Sequence, residues 1–473
     1  MIKFGTGGWR AIIGDEFTKN NIQRVGTALA MRMKEEGAAD QQVVIGYDRR
    51  FLSREAAIWL SEAIAGQQIR VRFINLSAPT PQIMFSVKHF GLPYGAAITA
   101  SHNPAVYNGI KLFTSGGRDA VQSITDAIAV CANALTDDEI LTVPFDEACK
   151  SEWVTFIDPR DEYIDSILSC INIEAIRSRR PRIALDPMYG VSLTGLMTIL
   201  YTSRCDINVI NERHDAFFGG HMPAPSPETL YDLQHAVTEH NADLGIATDG
   251  DADRLGVIDE KGRYVSANEI LVLLYHYLMK YKGLRGAVVR NLATTHLLDK
   301  VAARFGQRCI EVPVGFKHIS SGMEENDALI GGESSGGLTV RGHIRGKDGL
   351  YAASLLVEML SVTGKKLSEL LNEVYTDYGE LHMAEQVCNL TPDLKEQIHH
   401  HILEQKELPD FDKQIIRVNY TDGCKVYFDD DSWVIMRFSG TEPCIRIFAE
   451  AFSEEEAKRL IRIFSMFAGI TPS

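Results

Sequence analysis

Short apolar runs alternate with helical patterns along the first three quarters of this 473-residue chain. QVVIGYD (42–48) has the unbroken apolar character of a strand buried on both faces, and REAAIWLSEAIAG (54–66) has a helical period stopped by glycine. VRFINLS (71–77) is the next strand, PTPQIMFSVKHF (79–90) a helix with proline in its first turn, and GAAITA (95–100) a third strand. That βαβαβ succession implies a mostly parallel sheet covered by helices. The pattern restarts at RPRIALDPMYG (180–190) and again at NEILVLLYHYLMK (268–280). From about 375 it changes: DGCKVYFDDDSWVIMRFSG (422–440) and CIRIFAEA (444–451) alternate like strands, and SEEEAKRLIRIFSMFAG (453–469) is an amphipathic helix. The expected class is α/β, with three similar mixed α/β sheet domains and a smaller C-terminal α+β domain. Their expected limits are 1–150, 151–258, 259–375 and 376–473. The histidines of LTPDLKEQIHHHILEQKELPD (390–410) read as a solvated helix face rather than a metal site.

The charge balance narrows the partners. With 48 Lys and Arg against 63 Asp and Glu, the formal charge is −15, a poor match for nucleic acid or an anionic membrane. The run ILVLLYHYLM (270–279) is too short to span a bilayer, and MIKFGTGGWR lacks the apolar core of a secretory signal. The eight cysteines are scattered without a Cys-x-x-Cys, so reduced thiols in a cytoplasmic protein are expected. Any anionic ligand must be met by a local concentration of Arg and Lys.

Four stretches carry chemistry. In LGIATDGDADRLG (244–256) an apolar strand ends in Asp249, Asp251 and Asp253, which share a face on an extended backbone. Three like charges there call for a cation, and oxygen-only ligands suit Mg²⁺. An EF-hand is disfavoured because Arg254 occupies the place of the glycine turn. An aspartyl phosphatase using Asp249 as nucleophile leaves Asp253 unexplained. MRFSGTEPCIRI (436–447) offers Arg437, Ser439, Gly440, Thr441 and Arg446, a set that can cradle a phosphate. GGESSGG (331–337) places Glu333 and Ser335 in a loop suited to sugar hydroxyls. ITASHNP (98–104) sets Ser101 beside His102, but adjacent strand side chains diverge and no triad partner is in sight. From this stretch alone, nucleophile, phosphate acceptor and polar turn all stay open.

Taken together and in this order, the four stretches resemble the α-D-phosphohexomutase superfamily, and FGTGGWR, GYDRR, NGIKLF, FGGHMPAPSPE and PVGFK fit it too. The resemblance implies four domains around a central cleft. It implies an enzyme, an isomerase that moves phosphate within a hexose monophosphate through phosphoserine 101 and a hexose 1,6-bisphosphate. Mg²⁺ would be held by Ser101, Asp249, Asp251 and Asp253. Arg10, His102, Lys111 and Arg254 would surround the transfer, and Lys317, Lys111 and His102 are the candidates for the base. Glu333 and Ser335 would hold the sugar, and Arg437, Ser439, Gly440, Thr441 and Arg446 the distal phosphate. GGESSGG is most similar to the phosphoglucomutase type, so glucose phosphate is favoured, with mannose and glucosamine phosphates as alternatives. A non-catalytic sugar-phosphate sensor is the alternative from another class. Glycine stands at 7 where the family usually has serine.

Overall fold

The computed structural model describes residues 1–5, 7–439 and 444–470. Among them are four sheets in chain order. In the first, Gln42–Tyr47 lies parallel to Arg70–Ile74 and Tyr94–Ile98, as the βαβαβ pattern requires. Tyr94–Ile98 then pairs antiparallel with Tyr107–Thr114, and that strand with Trp9–Ile12. Val154–Ile157 joins the same sheet beside Arg70–Ile74, past the limit expected at 150. The second sheet runs parallel through Asp206–Val209, Arg182–Asp186 and Leu244–Thr248, then turns antiparallel at Leu255–Ile258 and Tyr264–Val265. The last of these lies past the limit expected at 258. The third repeats the plan with Cys309–Val312, Val288–Asn291 and Ile330–Gly332 parallel and Leu338–Val340 antiparallel. The fourth sheet is antiparallel throughout, in the order His382–Asn389, Cys444–Ala451, Trp433–Phe438, Cys424–Phe428 and Ile415–Asn419.

This architecture places the chemistry. In each of the first three sheets a parallel strand reaches its C-terminal end, makes a short turn and returns antiparallel. The three turns hold Ser101, the three aspartates, and Glu333 with Ser335. In the fourth domain Trp433–Phe438 and Cys444–Ala451 are antiparallel neighbours. The polar loops therefore sit where buried strands run out, the place where α/β sheets bind ligands.

Local chemistry fixes the supporting elements. Asp348 caps the helix Gly349–Thr363 by accepting from the amides of Leu350 and Tyr351 at 2.9 and 3.0 Å, and Gly364 ends it with φ 69°. Tyr163 Oη also donates to Asp348, at 2.9 Å, tying the second domain to the third. The helix Pro392–Ile398 widens into a π-helical turn at His399–Glu404, where the exposed His399 and His400 meet Glu404 and His401 meets Glu407. That is the solvated face expected. Among the described residues no helix is long and apolar enough to cross a membrane.

One buried carboxylate offers a stability test. Asp186 is 1% exposed and accepts from the Met188 amide and Asn211 Nδ2 at 2.7 and 3.1 Å. Burial nonetheless raises its pKa to about 6. A folded-state pKa above the unfolded value means that the folded protein binds the extra proton, so this group lowers stability as pH rises from about 4 through 6. Asp186→Asn is expected to be more stable than the parent at pH 8 by about 2–3 kcal/mol, with the difference vanishing below pH 4. Thermal melts at the two pH values check this, and an unchanged midpoint at pH 8 would contradict it.

Candidate active site

Ser101 follows the strand Tyr94–Ile98 in a left-handed conformation, φ 53°, and is fully buried. Its hydroxyl donates to Asp249 Oδ2 at 2.9 Å, and His102 Nδ1 lies 3.4 Å from Ser101 Oγ. The sequence-based expectation that Ser101 and His102 diverge is thus corrected: the strand has ended, and the left-handed turn swings the two side chains together. The loop is clamped from behind by Arg50. Its guanidinium donates to the carbonyls of Ser101 and Asn103 at 2.6 Å each, Pro104 at 2.9 Å and Tyr107 at 3.1 Å, and pairs with Asp48 at 3.3 Å. It also lies 4.8 Å from the centre of the Phe218 ring.

The aspartates converge by a turn, not by the pleat. Leu244–Thr248 ends before them and Ala252 takes φ 63°, bringing carboxylate oxygens of Asp249, Asp251 and Asp253 within 4.8 Å of one another. Alternate residues on a strand stand about 7 Å apart, too far for such a cluster. Gly250 permits the approach of the serine loop, since a Cβ there would lie 2.9 Å from the Ser101 carbonyl.

All three carboxylates are at most 2% exposed. Lys111 Nζ bridges Asp251 and Asp253 at 2.6 Å to each, and Lys347 Nζ stands 3.1 Å from Asp253. Thr80 donates its hydroxyl to Asp251 Oδ2 at 2.6 Å. Burial works to raise all three acids. For Asp253 the cations Lys111, Lys347 and Arg254 outweigh burial and hold it well below the usual range. For Asp251 burial and Asp253 are outweighed by Lys111 and Thr80. Asp249 is pushed up, by burial and then by repulsion from its two neighbours. The local cations neutralise two carboxylates, and the third is left wanting positive charge.

That imbalance bears on a metal. Among the described residues the buried Oδ1 atoms of Asp251 and Asp253 have no hydrogen-bond donor. Three carboxylates and a serine hydroxyl form an oxygen-only donor set, which fits a hard divalent cation. Around it, Arg10 donates to Asn103 Oδ1 at 2.5 Å and keeps a pKa near 10, lowered by burial and Arg254. His102 is pushed well below its usual range by burial and by Arg254, Arg10 and Lys347, so its imidazole is neutral. Arg254 Nε lies 3.9 Å from Asp249. A Cβ at Gly7 would lie 2.8 Å from Arg10 Nη2, so glycine there leaves space that the guanidinium occupies.

The remaining predicted residues lie as follows. Glu333 is 8% exposed and accepts from Ser335 Oγ at 2.6 Å. Lys317 Nζ donates to Gln122 of the first domain at 2.6 Å and touches neither Ser101 nor the aspartates; burial lowers its pKa. Arg437 and Arg446 are register partners on neighbouring strands, held by Asp422 at 3.3 Å and Glu385 at 3.4 Å. The Ser439 amide donates to Cys444 O at 2.9 Å. Gly440 and Thr441 lie outside the described residues. Sequence reasoning missed Lys347, the clamp role of Arg50, and Asp119, whose raised pKa reflects burial within reach of Lys347, Lys111, Asp253 and Glu333. The glycine-flanked lysine of RGKDG was a usable signal. Its stem crosses Gly337 of the Glu333 loop, where a Cβ would lie 2.1 Å from Lys347 Cδ.

Comparison with known proteins identifies the family of the chain. Domain models of phosphoglucomutase/phosphomannomutase match in order: alpha/beta/alpha domain I at residues 1–139, II at 161–262, III at 266–378, and the C-terminal domain at 401–464. A phosphoglucomutase/phosphomannomutase of Thermococcus kodakarensis is 32% identical over 460 residues, 97% of either chain. A phosphoglucosamine/phosphogalactosamine mutase of Sulfurisphaera tokodaii is 28% identical over 97% of either chain. The crystal structure of a phosphoglucomutase/phosphomannomutase family protein from Burkholderia thailandensis superposes with a TM-score of 0.84 at 22% identity, over 100% of this chain and 99% of the other. The Paramecium phosphoglucomutase parafusin shares the fold with a TM-score of 0.82 at 20% identity, over 99% and 96%. With its four domains matched in order and a full-length relative above 30% identity, the chain belongs to the phosphoglucomutase/phosphomannomutase family of the α-D-phosphohexomutases and is an isomerase of the phosphotransferase type.

Proposed function

We propose that the chain interconverts hexose 1-phosphate and hexose 6-phosphate, with glucose phosphate as the favoured substrate and Ser101 as the phosphate carrier. The observation that carries this reading is the Ser101 hydroxyl, buried 2.9 Å from Asp249 in the same cluster as Lys111, Lys347 and Arg254. Phosphoryl transfer asks mainly for positioning and charge neutralisation, and this pocket offers both. The phosphoserine P–O bond breaks as a bond forms to the free hydroxyl of a hexose monophosphate; that hydroxyl gives its proton to a base, and the departing Ser101 oxygen takes up a proton to become the free hydroxyl. The resulting hexose 1,6-bisphosphate turns over and returns its other phosphoryl group to Ser101.

The three candidate bases divide by environment. Lys111 is held protonated between Asp251 and Asp253, which suits a countercharge. Neutral His102 beside Ser101 Oγ suits the proton of the serine. Lys317, with its lowered pKa, suits the sugar hydroxyl. Glu333 and Ser335 offer an acceptor and a donor to sugar hydroxyls. Arg437, Ser439, Gly440, Thr441 and Arg446 would grip the phosphate that is not reacting. Asp249, Asp251, Asp253 and Ser101 would hold Mg²⁺, which supplies charge neutralisation at the transferring group. Glucose and mannose differ at a single hydroxyl, so weak discrimination between them is expected.

A coupled assay tests the substrate: with Mg²⁺ and a trace of glucose 1,6-bisphosphate, glucose 1-phosphate is expected to convert with a higher kcat/KM than mannose 1-phosphate or glucosamine 1-phosphate. A different winner would overturn the sugar choice alone. Ser101→Ala is expected to lose about 10³-fold or more in kcat with an unchanged circular dichroism spectrum; retained turnover would remove Ser101 from the pathway. Lys347→Met is expected to lower kcat about 10- to 100-fold, as deletion of a charge beside the transfer site should. Chelation by EDTA is expected to stop turnover and Mg²⁺ to restore it, whereas a rate indifferent to EDTA would exclude the metal assignment.

A further inference from the structure

We propose that a second anion site, separate from the active site, lies in a cavity between the first and second domains and binds a phosphate-class oxyanion. The cavity has a volume of about 210 Å³, and its walls include Arg49, Ser77, Gln82, Arg160 and Thr194. It contains none of the residues assigned above to phosphate transfer or sugar binding. Pockets for drug-sized ligands run from roughly 300 to 1,000 Å³. A space of this size instead suits a free oxyanion or the phosphate end of a small monoester.

Three features of the walls favour negative charge. First, three helices begin there. Pro79 and Gln82 belong to the first turn of Thr80–His89, Arg160 opens Arg160–Leu168, and Thr194 and Gly195 lie in the first turn of Leu193–Thr202. Each helix N-terminus carries partial positive charge, but the amides of Thr80 and Gln82 already donate to the Asp251 and Pro79 carbonyls and that of Arg160 to Asp158, so the open amides belong to Leu193–Thr202. Among the described residues the amides of Thr194 and Gly195 have no hydrogen-bond partner. Second, Arg49 is a half-buried cation without a carboxylate. Among the described residues its guanidinium has one hydrogen bond, to the Tyr189 carbonyl at 3.4 Å, and burial lowers its pKa. Third, Gln82 is 4% exposed, lines the cavity, and its side-chain amide has no partner among the described residues. A ligand oxygen in the cavity would accept from its NH₂. The carboxylate on the wall, Asp158, is already paired with Arg160.

The cavity also touches the catalytic machinery through one residue. Thr80, between Pro79 and Gln82, donates its amide to the Asp251 carbonyl at 2.9 Å and its hydroxyl to the Asp251 carboxylate at 2.6 Å. An anion held by Gln82 and Arg49 therefore braces the turn that positions an aspartate of the transfer site.

The test uses the full chain and two probes, tungstate in crystals and inorganic phosphate in solution. Soaked crystals are expected to show an anomalous peak within hydrogen-bonding distance of Arg49 and Gln82. Arg49→Ala and Thr194→Glu should remove that peak and weaken by about tenfold or more the phosphate binding read from the rise in melting midpoint. Thr194 is exposed, so the second variant tests the site even if the first folds poorly. A parallel soak in glucose 1-phosphate separates the sources: density for a bare phosphate indicates the free ion, and an attached sugar indicates a monoester. Anions confined to the Ser101 cleft, or a phosphate-dependent midpoint unchanged in both variants, would overturn the proposal. Since the readout is the position of the ion, it is independent of whether Ser101 proves to be the phosphate carrier.

Discussion

Everything in this molecule is arranged around three carboxylates buried within 4.8 Å of one another. Removed from water, such a cluster is prohibitive unless cations lie against it. The structure draws those cations from different domains. The aspartates come from the second, Lys111 from the first and Lys347 from the third. Neutralising the cluster therefore requires the three sheets to meet at one point. Docking of the domains and assembly of the candidate active site are one energetic event.

A single structural device, repeated, delivers the groups to that point. A parallel strand ends, turns and returns antiparallel, and its turn carries the polar side chains. The parallel strands Tyr94–Ile98, Leu244–Thr248 and Ile330–Gly332 are buried along their length, while the turns carry most of the polar groups and the return strand Tyr107–Thr114 adds Lys111. Left-handed residues make the turns tight. Ser101 and Ala252 both adopt positive φ without being glycine, a strain of order 1–3 kcal/mol that the surrounding hydrogen bonds must overcome. Arg50, donating to four carbonyls of the serine loop, is the largest such restraint on Ser101.

What the sequence disclosed follows from that division of labour. The strands and the helices between them were legible because their periodicity is dictated by burial, and the loops because four unusual polar stretches occurred in a recognisable order. Two kinds of information were missing. Turn geometry is not periodic, so a strand rule misplaced both the aspartates and the Ser101–His102 pair. Long-range pairing leaves no local trace either. Lys347 reaches Asp253 across 94 positions of sequence, and Val154–Ile157 returns to the first sheet after two α-helices and a short 3₁₀ turn. Gly337 shows the limit well: it reads as a loop glycine, while its place in the fold is to admit the stem of Lys347.

The fourth domain is fixed to the third by a different solution to the same problem of buried charge. Lys425 is fully buried, donating to the Leu292 carbonyl at 2.6 Å and Glu311 at 2.9 Å, and it lies 4.0 Å from the Trp433 ring centre. Burial, reinforced by Arg290, lowers its pKa to about 7. Glu311 also receives Arg290 and Arg417 at 2.7 Å each, and it is held strongly acidic against the effect of burial. Parting the partners of such a hub leaves uncompensated buried charge, at roughly 3–5 kcal/mol. Asp422 extends the attachment by accepting from the Val314 amide at 3.0 Å while holding Arg437. A rotation of the fourth domain that preserved this hub would move Arg437 along an arc about Glu311. The His296 amide, donating to Glu450 at 2.8 Å, and Lys300, 3.6 Å from Asp431, share with Glu311 the placement of the fourth domain on the third.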